Sequence, residues 1–185
     1  AAIISDLSVL LTPVESDRLL GFNLLTGERL FTPKVRLDMR YLAGIRGQKC
    51  FVVGPKSMKA YNLEGGGQAW KLDSGVFKSG QQISGQGVFG EDCYFLPTNT
   101  REIIQVSLEN GDVLDRRETS YELGNLVAVD GEIITQGPTK LSVAFGEQTL
   151  VPLVERMLDE DPDNFDALVR KSELLIQSEE YLEAL

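Results

Sequence analysis

A chain of 185 residues with 28 acids, 18 bases and no histidine carries a formal charge of −10. Its length allows one or two domains with a sizeable core, and its apolar and charged fractions (42% and 25%) are those of folded domains, not disordered ones. The missing histidine removes Ser-His-Asp and Cys-His nucleophile systems and most transition-metal sites. An acidic chain without a basic stripe argues against nucleic acid and anionic membranes.

The N-terminal run Ala1-Ala2-Ile3-Ile4-Ser5-Asp6 has neither an initiator methionine nor the build of a signal peptide, so a fragment or processed product is expected. No apolar run reaches the roughly 18 residues of a spanning helix, which predicts no membrane insertion.

Pro13, Pro55, Pro97 and Pro138 lie 42, 42 and 41 residues apart, each closing a short apolar run. After the first three come a second apolar run and a glycine turn: Thr26-Gly27, Gly65-Gly66 and Asn110-Gly111. A repeat near 42 residues marks a propeller blade or a helical repeat. Alternation of period two selects small antiparallel sheets.

In the second copy the predicted strands are 41–47, 49–53, 58–63 and 68–72. In the third they are 85–89, 92–96, 103–108 and 112–116. The glycine pairs supply the positive φ that tight hairpins need, and proline at a strand end leaves the ladder intact. Trp70 is expected to pack between adjacent blades, with a ligand-stacking role as the alternative.

A fourth copy begins with strands at 126–129, 133–136 and 141–145 and then departs. Leu150, Val151, Leu153, Val154, Met157 and Leu158 keep helical spacing, so a helix replaces the fourth strand. This helix is expected to cover the last blade. Asp161-Pro162-Asp163 ends it, a second helix runs from about 163 to 176, and a third starts after Ser178-Glu179-Glu180. The stretch from Gly146 onward holds eleven acids and three bases, against 17 and 15 before it.

Cys50 and Cys93 fall at matching places in copies two and three and read as two buried thiols, a bridge between blades being the alternative. Three tempting motifs fail. Gly85-Gln86-Gly87-Val88-Phe89-Gly90 spells a dinucleotide fingerprint, but a strand follows where a helix is required. Asp159-Glu160-Asp161-Pro162-Asp163 opens like a calcium loop, yet Asn164 and Arg170 stand where glycine and glutamate are needed. Gly65-Gly66-Gly67 lacks the Lys-Ser/Thr of a phosphate loop and reads as a turn.

The segments Phe22 to Phe31, Tyr61 to Trp70 and Val106 to Asp115 resemble the strand-turn-strand "A-L-D-x-x-T-G-x-x-x-W" of quinoprotein-like propeller repeats, the family of pyrroloquinoline quinone dehydrogenases and their cofactor-free relatives. Leu24-Leu25-Thr26-Gly27 and Trp70 match best. Asp115, where the family has tryptophan, matches worst. The dehydrogenases' calcium, catalytic aspartate, stacking tryptophan and adjacent-cysteine disulfide cannot be carried over to any position of this chain. The tail is similar to a tetratricopeptide repeat at Leu168, Ser172, Leu175, Tyr181 and Ala184, after Pro162, with Lys171 in a place the family keeps apolar. The order propeller then helices resembles multidomain proteins of planctomycete-type bacteria.

The expected fold is therefore mainly β: a partial propeller of about three and a half four-stranded blades over 1–145, and incomplete tetratricopeptide-like helices over 146–185. The expected function is a non-catalytic protein–protein interaction scaffold within a larger bacterial protein. The alternative is part of a quinone-dependent dehydrogenase whose site lies elsewhere. No catalytic, cofactor-binding or metal residue is assigned, and no cofactor is expected. Partners are expected to be proteins, with self-association possible through open blade edges. Family analogy implies an extracytoplasmic setting.

Overall fold

The computed structural model describes residues 2–72, 74–129, 132–137, 139–144 and 147–177. Among these residues fifteen strands run in chain order. The first sheet holds β1 (Ala2–Ser5), β2 (Ser8–Leu11), β3 (Arg18–Asn23) and β4 (Lys34–Val35). The second holds β5 (Tyr41–Arg46), β6 (Lys49–Val53), β7 (Met58–Asn62) and β8 (Gln68–Leu72). The third holds β9 (Val88–Phe89), β10 (Cys93–Pro97), β11 (Glu102–Ser107) and β12 (Val113–Glu118). Each is an antiparallel meander in sequence order. A fourth sheet has three strands: β13 (Asn125–Val129), β14 (Glu132–Gln136) and β15 (Leu141–Ala144). Helices α1 (Glu147–Glu160) and α2 (Phe165–Gln177) follow. The expected class, mainly β with small repeated antiparallel sheets, is the observed one.

The chain divides into two compact units, Ala1–Leu126 with Gln136–Lys140 and Val127–Thr135 with Leu141–Leu185. In the first unit, sheets one to three are stacked blades. One core joins Leu10, Leu19 and Phe31 of the first blade to Leu42, Ile45, Cys50 and Leu63 of the second. Another joins Phe51, Met58 and Trp70 of the second to Ile83, Tyr94, Ile104 and Val106 of the third. Rings run across that second interface: Phe51 lies 5.8 Å from Trp70 and 5.7 Å from Phe89, which stands edge-on to Tyr94 at 4.7 Å. Such pairs each add about 0.5–1.5 kcal/mol beyond the area they bury.

The blade turns repeat at the level of hydrogen bonds. Asn23 N donates to Glu28 O, Asn62 N to Gly67 O and Ser107 N to Asp112 O, all at 2.8 Å. Gly27, Gly66 and Gly111 are therefore equivalent, with φ of 71°, 68° and 81°. Four residues later stand Phe31, Trp70 and Asp115. The first two are the locks between blades: a Cβ on Gly66 would lie 2.5 Å from Phe31, and one on Gly111 would lie 2.5 Å from Trp70. The Trp70 indole N–H also donates to Leu108 O across the interface, at 3.1 Å. Trp70 thus packs between blades as expected. Asp115 is exposed and pairs instead with Arg117.

One expectation is corrected. Cys50 and Cys93 are free and buried, but they are not equivalent. Cys50 pairs with Tyr61, whereas Cys93 pairs with Ser107 and it is Tyr94 that faces Val106. Measured from the matched Asn62 and Ser107, Cys93 corresponds to Lys49 and Cys50 to Tyr94. A slip of one residue puts a strand side chain on the opposite face.

In the second unit, α1 packs against α2, and Val154 and Ala167 are buried at 2% and 0% exposure. Asn164 caps α2, its Oδ1 accepting from Ala167 N at 3.1 Å. Of the acidic stretch 159–163, Asp159 and Glu160 belong to the end of α1, and Asp161, Pro162 and Asp163 link the two helices. The third helix and the Tyr181 and Ala184 positions lie outside the described residues, as does Pro138.

Candidate interaction surfaces

Strands that run back and forth put alternate connections at opposite ends of a blade. The proline loops and the connections to each next blade share one end, and the glycine turns share the other. The proline-loop end is built on polar clamps. The Arg36 side chain, from the β4–β5 connection, donates to Pro13 O at 2.9 Å and to Ser16 O, and Arg36 N donates to Asp17 O at 2.8 Å. These bonds tie loop 12–17 to segment 36–39. On the two tied loops, Val14 and Leu37 stand 91% and 87% exposed.

Beside Leu37, Asp38 lines a cleft of about 330 Å³ with Lys56, Ser57, Lys59, Lys71 and Ser74. Among the described lining residues Lys56 and Lys59 bring cationic groups to this wall beside Asp38. A second cleft, about 440 Å³, lies among Ser84, Asn99, Glu122, Asn125 and Gln136 and offers amide and hydroxyl groups.

Under the same end lies a buried carboxylate. Glu102 opens β11 at 3% exposure. Gln81 Nε2 donates to it at 2.5 Å, Lys78 Nζ at 3.0 Å and Arg116 Nη1 at 3.2 Å. Gln81 also donates to Thr100 Oγ1 at 2.7 Å, and Thr98 Oγ1 donates to Glu102 O at 2.7 Å. Burial pushes the Glu102 carboxyl up, but the Gln81 and Lys78 hydrogen bonds and the Lys78 and Arg116 charges outweigh it and hold it below the ordinary glutamate value. Both oxygens are engaged by donors on this loop and on β12, so the group fastens the long 73–87 connection onto the third blade. It is a structural carboxylate, not a poised acid or base.

The thiols are equally settled. Burial raises Cys50 to about 11, and burial, with the Asp92 charge behind it, raises Cys93. Neither is a thiolate near neutral pH. The Gly85–Gly90 run leads into a tight turn: β9 pairs with β10, and Gly90 N donates to Cys93 O at 2.9 Å. Among the described residues no cluster of three metal-capable side chains occurs.

Comparison with solved structures places these surfaces on a known scaffold. The chain matches BamB from Moraxella catarrhalis with a TM-score of 0.62 at 13% identity, over 80% of this chain and 46% of that one. This is a propeller arc. The arc also matches the computationally designed Ika4 protein (TM-score 0.59, 13% identity, 78% of this chain and 88% of that one). It matches the Cps50 (Swd1) β-propeller domain of Myceliophteria thermophila as well (TM-score 0.56, 8% identity, 74% and 47%). It spans about half the length of BamB and of the Cps50 domain. No protein-family model matches the chain, and no curated protein does. At these identities the likeness concerns the fold.

The sequence placed no site residue, and the structure adds Val14 and Leu37 at the surface and Glu102 beneath it. Val14 and Leu37 carry no motif, because exposure is not written in a local pattern. Glu102 falls one residue ahead of the predicted strand 103–108. The only hint was the length of the 73–87 connection beside the short 36–40 one.

Proposed function

We propose that this chain is a non-catalytic protein-interaction segment of a larger bacterial repeat protein, binding through the proline-loop end of its first two blades. The observation that carries this is the pair of exposed apolar side chains, Val14 and Leu37, on loops fastened by Arg36. Apolar side chains held out on rigid loops lose little entropy on docking and mark interaction sites. The neighbouring cleft, with Lys56 and Lys59 on its wall, selects a partner segment that joins an apolar residue to a carboxylate.

In this reading the division falls near residue 145. The tail acts as a tetratricopeptide-like segment of a planctomycete-type parent in an extracytoplasmic setting. Those finer points rest on the sequence resemblance, as does the quinone-dehydrogenase alternative, which no particular feature of the structure favours.

The test compares proteins captured by wild type and by the double variant Val14→Glu, Leu37→Glu. Both side chains face solvent, so melting should stay within about 0.5 kcal/mol of wild type. A partner lost from the folded variant supports the reading. An identical partner set overturns it.

A further inference from the structure

The repeats make the two faces of a blade unequal, and one face of the first blade stands uncovered. Three cross-strand triplets are equivalent: Ile4–Val9–Phe22, Ile45–Cys50–Tyr61 and Phe89–Tyr94–Val106. In the second and third blades this triplet packs against the blade before it. Ile45 and Cys50 are accordingly 8% and 0% exposed, whereas Ile4 is 62% exposed. The turn beside the triplet repeats the contrast. Leu63 is 5% exposed and its counterpart Leu24 is 47% exposed, with Leu25 at 75%. Most telling is the glycine: Gly66 and Gly111 each receive an aromatic ring from the preceding blade, while among the described residues nothing lies within 4 Å of a Cβ built on Gly27. The turn geometry of Gly27 matches the other two, so the seat is formed.

The geometry points to one occupant: a further blade of the same polypeptide, preceding residue 1. Its fourth strand carries an aromatic side chain, four residues past its own turn glycine, that rests on Gly27. When that ring is an indole, its N–H reaches Leu24 O, as Trp70 reaches Leu108 O. Continuity favours this source. Trp70 stands on β8 and Phe31 three residues ahead of β4, and each of these strands runs on into the first strand of the blade that its ring locks, β4 into β5 and β8 into β9. The arc also spans 46% of the BamB chain it matches, so an arc of similar size completes such a ring. A second copy of this chain does not fit. Its third blade has Asp115 where the ring must be, and its fourth sheet has three strands among the described residues. This inference is independent of the loop-end reading, since it concerns a different face.

Hydroxyl-radical footprinting of the 185-residue chain and of the full polypeptide containing it tests this, with Leu37 as an exposed control on the loop end. The expected result is oxidation of Phe22, Leu24 and Leu25 in the shorter chain at every concentration. In the full polypeptide Leu24 should be protected to the level of Leu63. Replacing the preceding repeat's aromatic residue with alanine should restore oxidation at Leu24. Equal oxidation in both proteins overturns the inference. So does protection of the shorter chain that grows with its concentration, which assigns the face to a second copy. Protection that survives the alanine replacement, or a full polypeptide with no repeat ahead of residue 1, overturns it too.

Discussion

Gly27, Gly66 and Gly111 share one backbone conformation but not one environment, and substitution separates the two effects. Alanine at Gly27 meets open space, so only the left-handed backbone opposes it, at about 1–2 kcal/mol. Alanine at Gly111 must in addition move the Trp70 indole, which lies 2.5 Å from the new atom. The expected loss is about 2–5 kcal/mol, the sum of overpacking and backbone terms. Urea unfolding of the two variants, followed by the single tryptophan's fluorescence, checks the difference. Equal losses would mean that the ring does not bear on Gly111. Trp70→Ala removes the lock itself and should cost about 3–5 kcal/mol.

Glu102 makes a prediction with a sign. Its folded value lies below the ordinary one of 4.5. The stabilisation is therefore complete above the unfolded value, and it is lost as pH falls through the lowered folded value. Glu102→Gln leaves Lys78 and Arg116 facing a neutral amide and should cost about 1–3 kcal/mol at pH 7, because both cations keep contact with water. The variant should also lose less stability than wild type between neutral pH and acid. Denaturant midpoints across that range measure it, and parallel curves would remove Glu102 from the account of acid unfolding.

At the scale of elements, the helical pair depends on few contacts. Val154 on α1 and Ala167 on α2 are buried, while Phe165, Leu168 and Val169 are 76%, 43% and 40% exposed. Val154→Asp puts an unpaired charge into the pair's core, a change that costs several kcal/mol where α1 and α2 meet. Circular dichroism at 222 nm should show loss of helix. Retained helical signal would show that Val154 is not the point where α1 and α2 hold. The expectation that α1 covers the last blade in place of a fourth strand can be probed with Leu153→Asp and Met157→Asp. Both side chains are half-buried.

At the scale of the molecule, the uncovered face of the first blade sets solution behaviour. Ile4, Leu7, Leu24 and Leu25 are all at least 47% exposed around one end of the arc. The native 185-residue chain should bind a hydrophobic dye such as ANS through this face. Ile4→Lys with Leu25→Lys should remove most of that signal and leave the melting temperature nearly unchanged. Dye binding that persists would locate the exposed apolar surface elsewhere.

What the sequence determined by itself is local. Strands Lys49–Val53 and Gln68–Leu72 lie where the alternation places them, because a period of two and a glycine or proline break act within a few residues. Other features wait on partners far away along the chain. Their places just ahead of the proline-closed runs suggest that Cys50 and Cys93 match, yet the equivalent residues Val9, Cys50 and Tyr94 are 41 and 44 apart, since register is set by cross-strand hydrogen bonds and not by the loop that closes a strand. Glu102 and Gln81 meet only after a long connection folds back over the third blade. The empty seat at Gly27 is a matter of tertiary structure alone. It differs from Gly66 and Gly111 in what stands beside it, and neighbours across a blade interface leave no mark on the residues of one turn.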